Sequence, residues 1–196
     1  NENAANTAGF RSSEIVWTGG TSSDWYNPSN WSIQEGVYNA LTPVNRVPRS
    51  IDNVSIPAGT PNSPLISTGT ANARDINIAT GATLSMSDGT LNVHGHLEEA
   101  GTGQFNGSGG TVVLKSNLDQ TVTLGNGQLF NLQVGNSTTQ KVTLASNLDV
   151  NGNLTLKAGV TFEASSNTIN VAGNWSDGGN GFAAGTSTVI FDGDTQ

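Results

Sequence analysis

Two imidazoles and a carboxylate fall within five residues at His94-Gly95-His96-Leu97-Glu98, the one arrangement in the chain with metal-ligand potential. Read as a strand, His94, His96 and Glu98 project to one face while Val93, Gly95 and Leu97 face the other. Such a set offers the nitrogen and oxygen donors that a zinc-like ion takes. A second group is aromatic: Trp25, Tyr26 and Trp31 have the makings of a sugar-binding platform. The competing reading is a cap in which Trp17, Trp25 and Trp31 bury one end of a core, because large aromatics close together in one segment usually pack on each other. Asp24, Asp119, Asp149, Asp192 and Asp194 are oxygen donors suited to Ca²⁺, yet none sits in a multi-ligand loop of the EF-hand kind, and each reads as a turn former.

Catalytic patterns are harder to assemble. Glu98-Glu99 is a carboxylate pair, but glycoside hydrolysis needs two carboxylates facing each other across a cleft, and neighbours on a strand point to opposite faces. Lys115, Lys141 and Lys157 stand apart in the sequence. No serine sits in a nucleophile elbow and no Gly-rich phosphate loop precedes a helix. A non-enzymatic protein with no required cofactor is the expectation.

The elements that would carry these residues come from an internal repeat. Residues 76–97, INIATGATLSMSDGTLNVHGHL, return without a gap as 154–175, LTLKAGVTFEASSNTINVAGNW, at a constant offset of 78 (154 − 76). Gly81, Thr83, Ser87, Thr90, Asn92, Val93 and Gly95 meet identical residues, and Ile76, Ile78, Leu84 and Leu91 meet Leu154, Leu156, Phe162 and Ile169. At the positions of His94, His96 and Glu98 the second copy carries Ala172, Asn174 and Ser176, so the fold itself does not need the ligand-like side chains. Phe105, Val112 and Leu114 are echoed by Phe182, Val189 and Phe191, and Ser116-Asn117-Leu118-Asp119 by Ser146-Asn147-Leu148-Asp149. The second copy breaks off where the first continues past Gln120, which predicts a parent polypeptide that goes on.

Self-similarity built from short apolar alternations, with Gly, Asn or Asp in the gaps, predicts an all-β repeat architecture. Strands are expected at 76–78, 83–86, 91–93, 111–114, 122–124, 130–134, 142–144, 148–150, 154–156, 169–171 and 188–191, with a further one at 52–56. An ungapped repeat and few two-residue hairpin turns favour a right-handed parallel β-helix with a Trp-rich N-terminal cap; an antiparallel β-sandwich pair is the alternative. The organisation expected is a flexible lead-in at 1–14, a Trp-rich cap and loop region at 15–64, and a repeat solenoid at 65–196, truncated at its C-terminus.

Of the 196 residues only 11% are charged, with a formal net charge of −8 and seven Lys and Arg in all. So thin a scatter of basic residues makes a nucleic-acid partner unexpected. No apolar run approaches the roughly 20 residues that span a bilayer, and membrane insertion is not expected. There is no cysteine, so backbone ladders and packing must supply the stability. A chain that opens at Asn1 without a leader is what a mature or trimmed secreted form would look like.

Trp17-Thr18-Gly19-Gly20, Asp24-Trp25, Asn30-Trp31-Ser32, Val47-Pro48 and Asp52-Asn53-Val54-Ser55-Ile56-Pro57 form an ordered series. It resembles the opening of large secreted surface proteins of Bacteroidetes-type bacteria, and the segments at 81–84, 89–95, 120–134 and 148–156 resemble their repeats. The resemblance covers roughly residues 15 to 196. It implies export, commonly by a type IX pathway, and a cell-surface, adhesive or filament-forming role; the family's C-terminal sorting domain has no counterpart here. The function expected is therefore a structural or adhesive module that self-associates or contacts neighbouring repeats. The alternative is a carbohydrate-binding module of a secreted polysaccharide-active protein, with surface glycans as partners.

Overall fold

A computed structural model describes residues 14–34, 45–136, 139–179 and 181–194. The chain is all-β, a β-solenoid of about six turns. Strands β1 (Glu14–Trp17) and β2 (Trp31–Gln34) pair antiparallel at one end, and β1 also lies parallel to β3 (Asn53–Ile56). From β3 the chain winds round three faces. The first turn is β3, β4 (Leu65–Ile66) and β5 (Thr70–Ala73); the second is β6 (Ile76–Ile78), β7 (Thr83–Met86) and β8 (Thr90–Val93). The third is β9 (Leu97–Glu99), β10 (Gln104–Gly107) and β11 (Thr111–Leu114). The fourth has β12 (Gln120–Thr123), a bridge at Gln128 and Leu129, and β13 (Asn131–Val134). Then come β14 (Gln140–Leu144), β15 (Leu148–Val150) and β16 (Leu154–Leu156), followed by β17 (Val160–Glu163), β18 (Thr168–Val171) and β19 (Trp175–Asp177). The last, partial turn is β20 (Phe182–Ala183) and β21 (Thr188–Phe191).

Every ladder from β3 onward is parallel, which excludes the antiparallel sandwich. Face one is a nine-stranded sheet running from β2 to β20, and face three a six-stranded sheet from β5 to β19. Face two is two three-stranded sheets joined through the bridges Asn106 to Gln128 and Leu129 to Val150. Asn53–Ile56 already belongs to the first turn, so the coil begins ahead of the expected boundary at 65. Of the expected lead-in, residues 1–13 lie outside the described residues, as does 35–44 of the expected loop region.

The strands form because apolar residues alternate with small polar ones, giving one buried and one outer set on each face. Stacking then puts like on like. Ile15, Val54, Ile76, Leu97 and Val122 follow one another up face one, and Leu91, Val112, Leu132, Leu154 and Trp175 up face three. The 78-residue repeat does not coincide with whole turns. From β6 to β16 is eleven strand-to-strand steps over three faces, three and two-thirds turns, so each copied strand lands one face back. What the repeat encodes is the single strand-and-corner unit of about seven residues (78/11), used on all three faces.

The corners are built by two means. Between faces two and three, Gly69, Gly89 and Gly110 stand one above another with φ of 65°, 81° and 76°. Above them asparagine takes over the column: Asn131 Oδ1 accepts the Asn153 N–H, and Asn153 Oδ1 accepts the Asn174 N–H, each at 2.9 Å. The third turn is the long one, with Leu97 to Val122 spanning 25 residues (122 − 97) where Leu132 to Leu154 spans 22 (154 − 132). Buried polar side chains tie it down. Glu99, in the inward row with Ile56 and Ile78, accepts N–H bonds from Phe105 at 2.5 Å and from Asn126 and Gly127 at 3.0 Å. Gln120 donates to the carbonyls of Val93 and Gly95 and accepts from Gln140.

The glycine column gives a comparison between two left-handed positions. A Cβ on Gly89 would stand 2.6 Å from the Thr68 carbonyl oxygen, whereas one on Gly59 (φ 74°) meets nothing within 4 Å. Gly59→Ala should cost about 1 kcal/mol, the left-handed penalty alone. Gly89→Ala adds a clash with backbone and should cost about 2–4 kcal/mol. Urea unfolding of the two variants against the parent chain checks the order.

Candidate functional site

The tryptophan cluster closes the β1–β2 end. Trp17, Trp25 and Trp31 are all 0% exposed, and Trp31 makes edge-on contacts with Trp17 at 4.8 Å and Trp25 at 4.7 Å between ring centroids. Trp17 Nε1 donates to the Asn62 carbonyl and Trp31 Nε1 to the Trp25 carbonyl, each at 2.7 Å. Asn30, also fully buried, clips the Gly19–Asp24 turn by accepting the Thr21 and Ser22 N–H groups. Tyr26 lies half-buried along the side with its hydroxyl donating to the Thr68 carbonyl; burial first and the Asp24 charge second raise its pKa. The sugar platform of Trp25, Tyr26 and Trp31 is thus corrected: two of its rings have no face open to solvent, and they serve as the cap.

The His-Gly-His segment is a corner between β8 and β9 and not a strand, so the alternation that would align His94, His96 and Glu98 does not apply. His94 is half-buried beside Lys115, and burial followed by that positive charge lowers its pKa. The His96 N–H donates to Asp75 Oδ1 at 2.8 Å, and its Nδ1 accepts the Thr121 N–H at 3.0 Å, so one ligating lone pair is already used. Glu98 is on the outer side of β9, exposed, while Glu99 points inward. Among the described residues no group of three or more His, Cys, Asp or Glu is placed to hold a metal ion. The Ca²⁺ candidates follow suit: Asp24 Oδ1 accepts the Tyr26 N–H within its own turn. Asp149 has its pKa raised by burial and by Asp192.

His96 and Glu98 do share a shallow groove on face one with Glu14, Asn53, Asp75 and Asn77, about 530 Å³ in volume. Val54, Ser55 and Ile76 complete its lining, and one of its carboxylates, Asp75, is already paired with Arg74 at 2.8 Å.

The aromatic site that sequence reasoning passed over is at the other end. On face three Trp175 continues the column of Leu132 and Leu154; on face one Phe182 stacks on Phe162; on face two Phe191 follows Val150 and Val171. These are core positions. Yet Trp175 and Phe182 are only partly buried and Phe191 is 55% exposed. Trp175 meets Phe182 edge-on at 4.8 Å and Phe191 at 6.4 Å, so the three rings form one patch. Strands β19, β20 and β21 are the edges of their sheets, with no strand beyond them among the described residues. A signal was present in the repeat, because Trp175, Phe182 and Phe191 correspond to Leu97, Phe105 and Leu114, all 0–1% exposed.

Comparison with known protein families, curated proteins and solved structures finds no match to the chain.

The lowered His94 pKa has a consequence for stability. The unfolded chain binds this proton more tightly, at a pKa of about 6.5. The contribution is therefore fully present above that value and is lost as pH falls toward the lower folded value. Thermal melts between pH 7.5 and 5 should show Tm falling with acidification, and His94→Gln should flatten that slope. An NMR titration should place the His94 ring below the ordinary histidine range.

Proposed function

We propose that this chain is a non-enzymatic structural module of an exported bacterial surface or filament-forming protein, joined to its neighbours by strand edges and flat β faces. The observation that carries the reading is the contrast between the two ends of the coil. Among the described residues, one end is sealed by three tryptophans at 0% exposure, and the other presents Trp175, Phe182 and Phe191 with three strand edges beside them. An unpaired edge flanked by apolar side chains is a template for strand addition. The flanks are of a different kind. Outer positions on face one, such as Thr121, Thr123, Thr143 and Thr161, are short and hydroxylated, and an exposed ion pair there, Lys141 to Glu163 at 2.9 Å, links adjacent turns of the same rod. Such faces suit lateral contact with a surface or a neighbouring rod. Export and surface location rest on the resemblance of residues 15–196 to Bacteroidetes-type surface proteins, and the adhesive or filament role on that resemblance together with the open end.

Electron microscopy of the native material from the producing cell tests this. At about 4.8 Å per turn the six turns make a rod of roughly 30 Å. Ordered assemblies are expected in which such rods are joined at their ends, and a chain carrying Trp175→Lys should fail to incorporate. Dispersed single rods, unaffected by that substitution, would contradict the proposal.

A further inference from the structure

We infer that the corner leading from face three to face one, together with the uncharged sheet beside it, binds an acidic polysaccharide. The anionic groups of the glycan meet Lys115 and Lys157, and its hydroxyls lie over face three. This partner deepens the adhesive part of the proposed function and rests on that reading, but owes nothing to either end of the coil.

The position of the cations defines the site. The ladders of face three align Ala73, Val93, Leu114, Val134 and Leu156. One residue further on the stacking continues, because the N–H groups of His94, Lys115, Gly135 and Lys157 each bond to the turn before. Arg74, His94, Lys115, Gly135 and Lys157 therefore form one column along the corner, roughly 19 Å long at about 4.8 Å per turn. The chain has 15 Asp and Glu against seven Lys and Arg, and six of those seven are among the described residues. Arg46 and Arg49 are held by Asp52, Arg74 by Asp75 and Lys141 by Glu163. Among the described residues the two basic side chains in no ion pair are Lys115 and Lys157, and both stand in this column. Two unneutralised cations in one line, on a molecule of net charge −8, are a site for an external anion. His94 between Arg74 and Lys115 adds a hydrogen-bonding ring, since burial and then Lys115 lower its pKa. Neighbouring carboxylates are engaged elsewhere. Asp75 takes Arg74 and the His96 N–H, and Asp177 accepts the Gly179 and Gly181 N–H groups.

The adjoining sheet selects among polyanions. Its outer positions, from Thr70 and Asn72 on β5 to Ser176 on β19, carry no charge. The hydroxyls of Thr70, Thr90 and Thr111 stack in one line and make no hydrogen bond among the described residues, so they are open to sugar hydroxyls. Nucleic acid calls for more closely spaced cations and for aromatic rings to stack on, and a membrane for outward apolar side chains. The one apolar residue in these outer rows, Val113, is only 9% exposed. A second copy of the chain would bring its own charge of −8 against this one.

The test measures binding of the 196-residue chain, at low salt, to sodium polygalacturonate, uncharged dextran, duplex DNA and phosphatidylglycerol vesicles. Polygalacturonate should bind, shift the His94 ring signals in NMR spectra, and be released in about 0.5 M NaCl. The double substitution Lys115→Gln with Lys157→Gln should weaken binding about tenfold or more, with Tm within about 2 °C of the parent. Lys141→Gln, which removes a cation already paired on face one, should leave binding unchanged. Failure of polygalacturonate to bind, affinity that survives the double substitution, or equal or tighter binding to dextran, DNA or vesicles would each overturn the inference. End-to-end assembly of the native material, read by electron microscopy with Trp175→Lys, stands or falls separately from every one of these outcomes.

Discussion

Each turn of this solenoid is the hydrogen-bonding partner of the next, and the rest of the structure follows from that requirement. The ladder fixes the vertical step, so an inward side chain must sit on its counterpart one turn below, as Leu91, Val112, Leu132 and Leu154 do. Packing therefore comes as columns, and a column is satisfied everywhere except at its two ends. The β1–β2 end meets the problem with bulk and a reversal of direction: β2 runs antiparallel to β1, and three tryptophans fill the mouth of the core. The far end carries bulk of the same type, Trp175, Phe182 and Phe191, but with nothing laid across it among the described residues.

The same requirement explains why polar side chains occur inside. Where a turn lengthens, backbone N–H groups leave the ladder and must find acceptors, because an unpaired buried donor costs about 1–3 kcal/mol. Glu99 occupies an inward position that Ile56 and Ile78 fill in the turns below, and its two oxygens take three such groups, one from Phe105 in the long third turn and two from Asn126 and Gly127 in the fourth. At the opposite end of face one Gln120 takes a bond from Gln140 and donates to the Val93 and Gly95 carbonyls, and the Asn131, Asn153 and Asn174 column does the equivalent work at a corner. Asp52 meets a related need near the start of the coil. Burial alone would raise its pKa, but the Arg46 side chain, the Arg49 N–H and both guanidinium charges outweigh it and hold the carboxylate below its ordinary range.

Much of the fold was legible because the ladder repeats a short rule. Alternation at Ile76–Ile78, Thr83–Met86 and Leu154–Leu156 marks strands by side chains alone. Strands β5 (TANA) and β10 (QFNG) were not legible, since their residues have little strand preference and are held by the turns on either side. Nor could the repeat reveal its rotation, because a 78-residue period fits whole turns as readily as three and two-thirds until the registers are known. The candidate sites misread for related reasons. His94 and His96 alternate only if Gly95 is in a strand, and it is at a corner instead. Trp25 and Trp31 look like a platform only until the fold places them inside. The sequence did hold the exposed patch, as the alignment of Trp175, Phe182 and Phe191 with Leu97, Phe105 and Leu114, but their exposure depends on what lies above them.

The central claim is that, in the 196-residue chain, three tryptophans seal one end of the coil while Trp175, Phe182 and Phe191 are left uncovered at the other. Amide hydrogen exchange on the 196-residue chain, resolved by segment, addresses it most directly, because protection follows the local cost of opening a ladder. The account predicts slow exchange through the Trp-capped β1 and β3 and the middle turns, and a sharp rise in rate across β19, β20 and β21. Uniform protection through residues 175–191, or fastest exchange at the tryptophan end, would contradict it.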